Sequence, residues 1–386
     1  MNTTPHSIAS EQATIIILVG ITGDLSKRKL LPAIAGLAEK GLLPEDFALV
    51  GITRRDNVEL NDLLVNVEDK EFLQDHTTLF TMDLDSEEDY KRLSEKLDEI
   101  ETGWAPSDAV EQQAQRLFYL SVGPTVSLPI VKQLGDSGLA HHDHVKLLLE
   151  KPFGIDLENV ESVINEIDHY FDEEEVYRVD HYLAKQTVRA LVNHKIILAN
   201  VASITITAAE KIAIEGRADF YEQTGALRDF IQSHLLQVGA MVINPKNRLA
   251  VLKNLTADVN KVKRGQYEGY KEAAGNPHST VETYVSVTLD SKGGTGFELI
   301  VQSGKALDRK STDVTIVYKD GATEVISLND PSNAYESVYY DAIQGDKHFF
   351  VTQEEVLETW RILKPIQEAW ANDASDLEVY PQGAHK

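Results

Sequence analysis

The chain has 386 residues, beyond the length at which a single core usually stops growing, so two domains are expected. Hydrophobic residues at 42% and charged residues at 26% fit an ordinary globular protein, and the absence of cysteine excludes disulfides and thiolate chemistry. With 37 basic against 62 acidic residues the net charge is −25, a field that repels polyphosphates and argues against nucleic acid and anionic membranes as partners. No apolar run reaches the ~18 residues of a membrane span, and the N-terminus lacks a basic-then-apolar signal pattern. A cytoplasmic address is the expectation. Any phosphorylated ligand must be held against this field by local cations, which can be sought one by one.

The first 150 residues alternate strand and helix signals. Thr14–Val19 is a continuous β-branched run, as in a strand buried on both faces of a parallel sheet. Gly20-Ile-Thr-Gly23-Asp-Leu-Ser26 follows, and then a helical pattern from Lys29 to Lys40. A glycine-bearing turn between such a strand and a helix is where dinucleotide folds bind pyrophosphate. The G-x-G-x-x-G spelling is relaxed: counted from Ile21, only Gly23 fits, with Ser26 last. Alone, an ordinary strand–helix turn explains it equally well.

A second strand, Phe47–Thr53, ends in Arg54-Arg55. NAD sites usually place an acid there, against the ribose hydroxyls. Two arginines suit a 2′-phosphate, because guanidinium binds phosphate bidentately and stays charged. Surface arginines are the bland alternative, and the glycine turn one βα unit earlier weighs against it. Further strands read as Arg116–Val122, stopping at Gly123-Pro124, and Val145–Glu150, running into Lys151-Pro-Phe-Gly154. The carboxyl ends of such strands face a ligand crevice, which makes Lys151 a candidate ligand cation. The reading is a doubly wound domain preferring NADP, with NAD as the other cofactor.

Glu175 to Lys185 reads as a short strand, Val176–Val179, passing through Asp180 into a helical segment. On a helix His181 and Lys185, four apart, would share one face and grip one anion together. Asp180 at the turn is placed to orient an imidazole supplied from elsewhere. A solvated helix start with two surface cations is the competing reading.

Past Lys185 the pattern changes. Strand signals gather at Ala202–Thr207, Tyr284–Leu289, Phe297–Val301, Val314–Tyr318 and Glu324–Leu328, with a helix at Gly225–Ile243 and a terminal helix at Gln353–Ala371. Gathered strands indicate an α+β domain with a mostly antiparallel sheet. Gly293-Gly294 reads as a hairpin turn. The expected fold class is therefore an α/β Rossmann-like doubly wound domain over residues 1–185, followed by an α+β domain over 186–386. His141-His-Asp-His144 has metal-ligand residue types, but its neighbours point opposite ways on an extended chain. Asp172-Glu-Glu-Glu175 reads as a solvated loop.

Several motifs stand in a fixed order along the chain. The first are Gly20-x-x-Gly23-Asp24-Leu25-x-x-Arg28-Lys29-x-x-Pro32, Glu150-Lys-Pro-Phe-Gly154 and Arg178-Val-Asp-His-Tyr-Leu-Ala-Lys185. Asp229-x-x-Gln232-x-His234-Leu-Leu-Gln237, Arg264-Gly-Gln-Tyr267, Ser303-Gly-Lys-Ala-Leu307, Tyr335-Glu336 and Asp341 to Arg361 follow. In kind and order they resemble the signature motifs of the glucose-6-phosphate dehydrogenase family. The resemblance implies oxidation of glucose 6-phosphate by NADP to the 1,5-lactone. It implies His234 as the base that takes the C1 hydroxyl proton and Asp180 as its orienting carboxylate. His181 and Lys185, with Tyr182 beside them, would hold the 6-phosphate, and Lys151 would bridge substrate and cofactor. Glu210, Asp229 and Lys305 would bind sugar hydroxyls or phosphate, with Arg309 as the second cation and Lys310 its substitute. The implied cofactor contacts are Gly20, Thr22, Gly23, Asp24, Leu25, Arg54, Arg55, Tyr119 and Lys151. A homodimer or homotetramer is implied by analogy.

The chain departs from the family in being roughly a hundred residues shorter than typical members. It lacks the aromatic and Trp-Asn segment between Lys185 and Glu210. Ala184, Gln302 and Gly123 replace a glycine, an arginine and a proline of the family pattern. Such trimming touches the sugar pocket and leaves the reacting groups in place. The same mechanism on another sugar phosphate, or with NAD, is the second reading, and a non-catalytic relative the third. A binding module has no need of the base, so joint retention of Asp180, His181, Lys185 and His234 argues against the third.

Overall fold

The computed structural model describes residues 10–104, 113–291 and 296–386. The chain forms two compact units, the first from Met1–Lys151, Ser162–Ala184 and Ser332–Thr352, the second from Pro152–Glu161, Lys185–Pro331 and Gln353–Lys386. The expected division between 185 and 186 falls one residue from the main crossing. A single cut omits the two exchanged segments, 152–161 and 332–352.

In the first unit six parallel strands lie in the order β3-β2-β1-β4-β5-β6. They are β1 Thr14–Val19, β2 Phe47–Thr53, β3 Thr77–Thr81, β4 Gln115–Leu120, β5 Val145–Glu150 and β6 Val176–Val179. Every residue of β1 and β4 is buried, which explains why β1 reads as an unbroken apolar run instead of alternating. The order is that of a dinucleotide-binding doubly wound sheet, whose ligand crevice opens at the carboxyl ends of β1 and β4.

One face of this sheet is covered by the helices Leu31–Glu39 and Ala334–Gln344, joined in a single core with Leu31, Ile34, Leu37, Tyr335, Val338, Tyr339 and Ile343. Gly36 is where the two helices approach: a Cβ there would lie 2.5 Å from Glu336 Oε1. The far end of helix Ala334–Gln344 is tied to the sheet by polar groups. Gln115 donates Nε2 to Ile343 O at 3.1 Å, and Lys146 donates Nζ to Ala342 O at 2.6 Å and to Gln115 Oε1 at 2.7 Å. The helix thus ends on a cation that satisfies its last carbonyls. Ser332–Thr352 belongs to the first unit for these reasons, although 147 residues of the second unit, Lys185–Pro331, precede it in the chain.

The second unit carries seven strands in the order β12-β11-β7-β10-β9-β8-β13. They are β7 Val201–Ala209, β8 Leu255–Tyr267, β9 Tyr284–Ser291, β10 Glu298–Gly304, β11 Ser311–Tyr318, β12 Thr323–Ser327 and β13 Leu377–Tyr380. Pairing is antiparallel except for β10 with β7 and β13 with β8. The hairpin turn expected at Gly293-Gly294 lies outside the described residues. The expected helix Gly225–Ile243 is π-helical over Leu227–Leu235 and α-helical over Leu236–Ile243, and Gly225 breaks it from the helical turns before it with φ +58°. Gly239 on this helix sits 3.5 Å, at an added Cβ, from Leu299 of β10, so the helix lies close on the sheet. The terminal helix runs Gln353–Asn372, and its Trp360 is fully buried and donates Nε1 to Phe153 O at 3.0 Å.

One correction concerns residues 181–185. They form a turn closed by Ala184 N–H on Asp180 O at 3.1 Å, and the helix begins only at Gln186. Lys185 is extended at ψ 136°, so His181 and Lys185 do not share a helical face. The physical reason is the Asp180 carboxylate, which takes the Tyr182 N–H at 2.8 Å and folds the chain into a side-chain-capped turn.

Burial pushes the Lys146 ammonium down to about 8. A cation with a depressed folded pKa adds stability that is present above its unfolded pKa of 10.5 and lost as pH falls through 8. Lys146→Met, which removes the donor from the Ala342 carbonyl, should lower urea stability by about 1–3 kcal/mol at pH 7. The gap to wild type should widen between pH 7 and 10; a gap that narrows would contradict the assignment.

Candidate active site

The first unit offers a cradle and a cleft at the carboxyl ends of β1, β2 and β3. Gly20 ends β1 with φ +88°, and a Cβ there would lie 2.6 Å from Ser121 O. Only glycine fits both the conformation and the approach. Gly23 N–H closes the turn on Gly20 O at 2.9 Å, and Ser26 donates Oγ to the same carbonyl at 2.9 Å. Thr22, Gly23 and Leu25 are half-buried and Asp24 is exposed, its carboxylate 3.5 Å from Arg28. The turn therefore stands open at the head of a buried strand, as a pyrophosphate site requires.

Arg54 and Arg55 are exposed at the end of β2, with Arg55 N–H on Thr53 Oγ1 at 3.1 Å. Arg54 lines a cleft of about 540 Å³ with Asp56, Thr81, Met82, Asp83, Asp89 and Arg92. Arg92 sits 5.3 Å over the Phe80 ring and is ion-paired with Asp89. Sequence reasoning passed over Arg92 because it lies on an ordinary charged helix, Glu87–Trp104, and only the fold brings it beside Arg54.

Tyr119, expected at the cofactor, is corrected. It is fully buried within β4 and donates its hydroxyl to Glu150 Oε1 at 2.5 Å, which leaves it no surface for a ligand. Glu150 and Val179 are paired in register, so the residues that follow them, Lys151 and Asp180, leave adjacent strands at the same level. Asp180 is 2% exposed and holds its turn through the amides of Tyr182 and Leu183. Burial raises its pKa, against lowering by His181, those amides and Lys151. The His181 ring is half-buried, 5.1 Å from that of Tyr182, which is itself buried, and 6.3 Å from that of Tyr335. Lys151, Asp180 and His181 are thus gathered in one unit, around Glu150 and Tyr335, neither of which the sequence reading placed in the site.

The second unit gathers another set. Strands β7 and β10 run parallel, with Ala209 opposite Gly304, and the next residue of each is Glu210 and Lys305. The two form an ion pair, with Glu210 N–H on Gly304 O at 2.9 Å and Leu307 N–H on Glu210 O at 3.0 Å locking the strand ends together. Lys305 is 2% exposed, with its ammonium 5.4 Å from the Tyr221 ring and 5.9 Å from the Phe230 ring. Ala306, next in the chain, is held at φ +51°, a conformation that costs a side-chain-bearing residue on the order of 1 kcal/mol or more. Phe230 meets the buried His234 edge to face at 6.1 Å, one helical turn along the π-helix. Burial pushes the Tyr221 hydroxyl well up, helped by Asp229, Glu282, Tyr380 and Glu210 around it. Glu210, Asp229, His234 and Lys305 therefore share one locality built on Tyr221 and Phe230. Phe230 carried a signal, its i,i+4 spacing to His234; Tyr221 carried none.

The helix that holds His234 is itself fixed from below. Glu282 accepts the Leu227 N–H at 2.8 Å, and a Cβ on Gly225 would lie 2.4 Å from Glu282 Oε1. Arg309 turns toward Asp308, 3.9 Å away, and Ser311, 3.4 Å away, while Lys310 is exposed. Lys185 is half-buried at the head of helix Gln186–Arg189. Gln302, where the family pattern has arginine, donates to Thr207 Oγ1 across the parallel pair at 3.0 Å.

Comparison with known proteins gives the family. Residues 17–190 match the model of the glucose-6-phosphate dehydrogenase NAD binding domain, and residues 186–331 and 323–386 match that of its C-terminal domain. Glucose-6-phosphate 1-dehydrogenase of Aggregatibacter actinomycetemcomitans is 29% identical, over 91% of this chain and 90% of its own. That of Chlamydia muridarum is 27% identical over 96% and 94%, in an alignment of 484 positions, so it carries segments this chain lacks. A solved glucose-6-phosphate dehydrogenase in complex with its substrate glucose-6-phosphate superposes with a TM-score of 0.87, at 22% identity over 98% of this chain and 96% of that one, which speaks to the fold. With both domain models spanning the two units, the chain is an oxidoreductase that belongs to the glucose-6-phosphate dehydrogenase family.

Proposed function

We propose that the chain oxidises glucose 6-phosphate at C1 to 6-phosphoglucono-1,5-lactone, with NADP as acceptor. The observation that carries the reading is the gathering of Glu210, Asp229, His234 and Lys305 at one end of the second unit's sheet. That set supplies a base, a cation and two carboxylates suited to sugar hydroxyls. The names of the relatives support the substrate.

The chain's own residues suit each part of the reaction. His234 takes the C1 hydroxyl proton as the C1–O bond becomes a carbonyl, and the hydride on C1 departs with its electron pair. The nicotinamide supplies the acceptor for that hydride. Asp180 is assigned to His234 as its orienting carboxylate, and Lys151, His181 and Lys185 to the 6-phosphate. Gly20 and its turn fit a dinucleotide because a Cβ would fill the cradle, and Arg54 with Arg92 fits a 2′-phosphate. Asp56, Asp83 and Asp89 line the same cleft and offset those two charges, and this favours NAD as the second reading of the acceptor. A homodimer or homotetramer in the cytoplasm completes the proposal.

Absorbance at 340 nm with glucose 6-phosphate, a panel of other sugar phosphates and each nucleotide tests the reading directly. Silence with every sugar phosphate refutes it. His234→Asn should lower kcat by about 10²- to 10⁴-fold while sparing binding; retained turnover would remove the base assignment. Arg54→Ala should weaken NADP about ten- to a hundredfold and NAD by little, read from KM for each. Equal losses would defeat the 2′-phosphate argument.

A further inference from the structure

Glu150 is the last residue of β5, and its carboxyl is buried among tyrosines. Tyr119 of β4 donates to Oε1 at 2.5 Å, and Tyr335 of helix Ala334–Gln344 makes a second side-chain hydrogen bond. Tyr339, one turn further on that helix, sets its ring 5.3 Å from that of Tyr119. Its buried hydroxyl has no hydrogen-bond partner among the described residues. Lys151 follows Glu150 directly, Asp180 follows its pairing partner Val179 on β6, and the Tyr335 ring lies nearly parallel to that of His181. These are the titratable groups that face the carboxyl from each element packed on it.

A purely structural tie would not need an acid here. Two tyrosine hydroxyls can donate to an amide oxygen as well as to a carboxylate, without the cost of burying a charge next to Asp180. What the acid adds is a proton that can come and go. Burial raises the Glu150 pKa and the Asp180 charge adds to this, while Tyr119, Tyr335 and Lys151 pull it down, and it settles at about 7. Tyr339 is a third hydroxyl within the field of this carboxyl, and burial together with that field raises its pKa in turn.

We propose that Glu150 is a proton-linked positioning residue for the anion site, taking up a proton as a phosphate ester docks on Lys151 and His181. This rests on the proposed function, in which those two residues hold the ester. With Glu150 ionised, the acid sits immediately behind the cations and repels the incoming dianion. One proton from solvent, forming the O–H bond of the acid, removes that repulsion and leaves the cations to the ligand. The proton returns to solvent when the ligand leaves. Binding and neutralisation are therefore coupled, as linkage requires of a group whose pKa the ligand raises.

The test compares wild type with Glu150→Gln, which keeps the shape and accepts from both tyrosines. Binding of glucose 6-phosphate at pH 7 is followed by calorimetry in buffers of different ionisation enthalpy. Wild type should take up about 0.3–0.5 proton more per ligand than the variant, and equal proton counts would overturn the proposal. In turnover, the ratio of the two KM values cancels the ester's own ionisation. The wild-type to variant ratio should rise about three- to tenfold from pH 6 to pH 8, and a flat ratio would overturn the proposal. A merely structural Glu150 would change thermal stability and leave both readings alone.

Should the variant fail to fold, carboxyl ¹³C resonances of glutamate-labelled wild type serve instead. One should titrate near 7 and move up on adding glucose 6-phosphate; no such resonance would end the idea. Calorimetry and resonance read binding without turnover, so a chain that binds but does not oxidise the ester refutes the proposed function alone. If glucose 6-phosphate does not bind, inorganic phosphate is the probe, and absence of the same proton uptake overturns the inference.

Discussion

A chain with 25 more negative than positive charges has to hold an anion with cations that its own fold isolates from the surrounding acid. That constraint runs through both units. Lys305 is almost wholly buried, paired with Glu210 and set over two aromatic faces, so its charge is sheltered from solvent and its position is fixed. Lys151 leaves β5 level with Asp180, the residue that follows β6, where strand pairing sets the spacing. Arg54 and Arg92 come from different elements and meet only in the cleft beyond β2 and β3. In each case the cation is placed by a strand end or a helix wall instead of by a flexible surface loop. A fixed cation loses less entropy on binding than a mobile one, and that matters most when the long-range field opposes the ligand.

Parallel strands do this work in both sheets. All of the first sheet is parallel, so its strand ends point one way and gather the glycine turn, the arginines, Lys151 and Asp180 along one edge. The second sheet is mostly antiparallel, and the corner that holds Glu210 and Lys305 is at one of its two parallel pairs, β7 with β10. An antiparallel pair would have sent Glu210 and Lys305 to opposite ends of the sheet. The left-handed backbone at Ala306 follows directly after Lys305, where the chain turns sharply away from the strand end.

How much of this was legible depended on whether the information was local. β1, β2 and β5 were read from their apolar runs because burial on both faces removes polar positions. β8 was missed: of its first nine residues, from Leu255 to Lys263, only Leu255 is buried, and their polar and apolar positions carry no clean alternation. The helix read into 181–185 failed because a period of four between cations says nothing about the carboxylate before them, which captured the amides of a turn. Tyr119 was placed at the cofactor although its alternation on β4 points it toward Glu150 and the helix Ala334–Gln344. That helix is the largest loss. Its apolar face is visible in the sequence, but nothing local says that it returns to a sheet completed some 150 residues earlier.

The return of that helix explains why the first unit's site chemistry depends on residues far along the chain. Tyr335 and Tyr339 belong to the same helix whose other end is fastened by Lys146 and Gln115. The fastening sets the helix along its axis, and one residue of slip would rotate the Tyr335 hydroxyl about 100° away from Glu150. The half-buried lysine at one end and the half-buried acid at the other are therefore parts of one device. The first resists slip, and the second reads the helix through Tyr335, whose hydroxyl bonds it. A titrating carboxyl in such a place can respond to a ligand only because its neighbours cannot move, so the stability of the helix dock and the proton behaviour of the site stand on the same contacts.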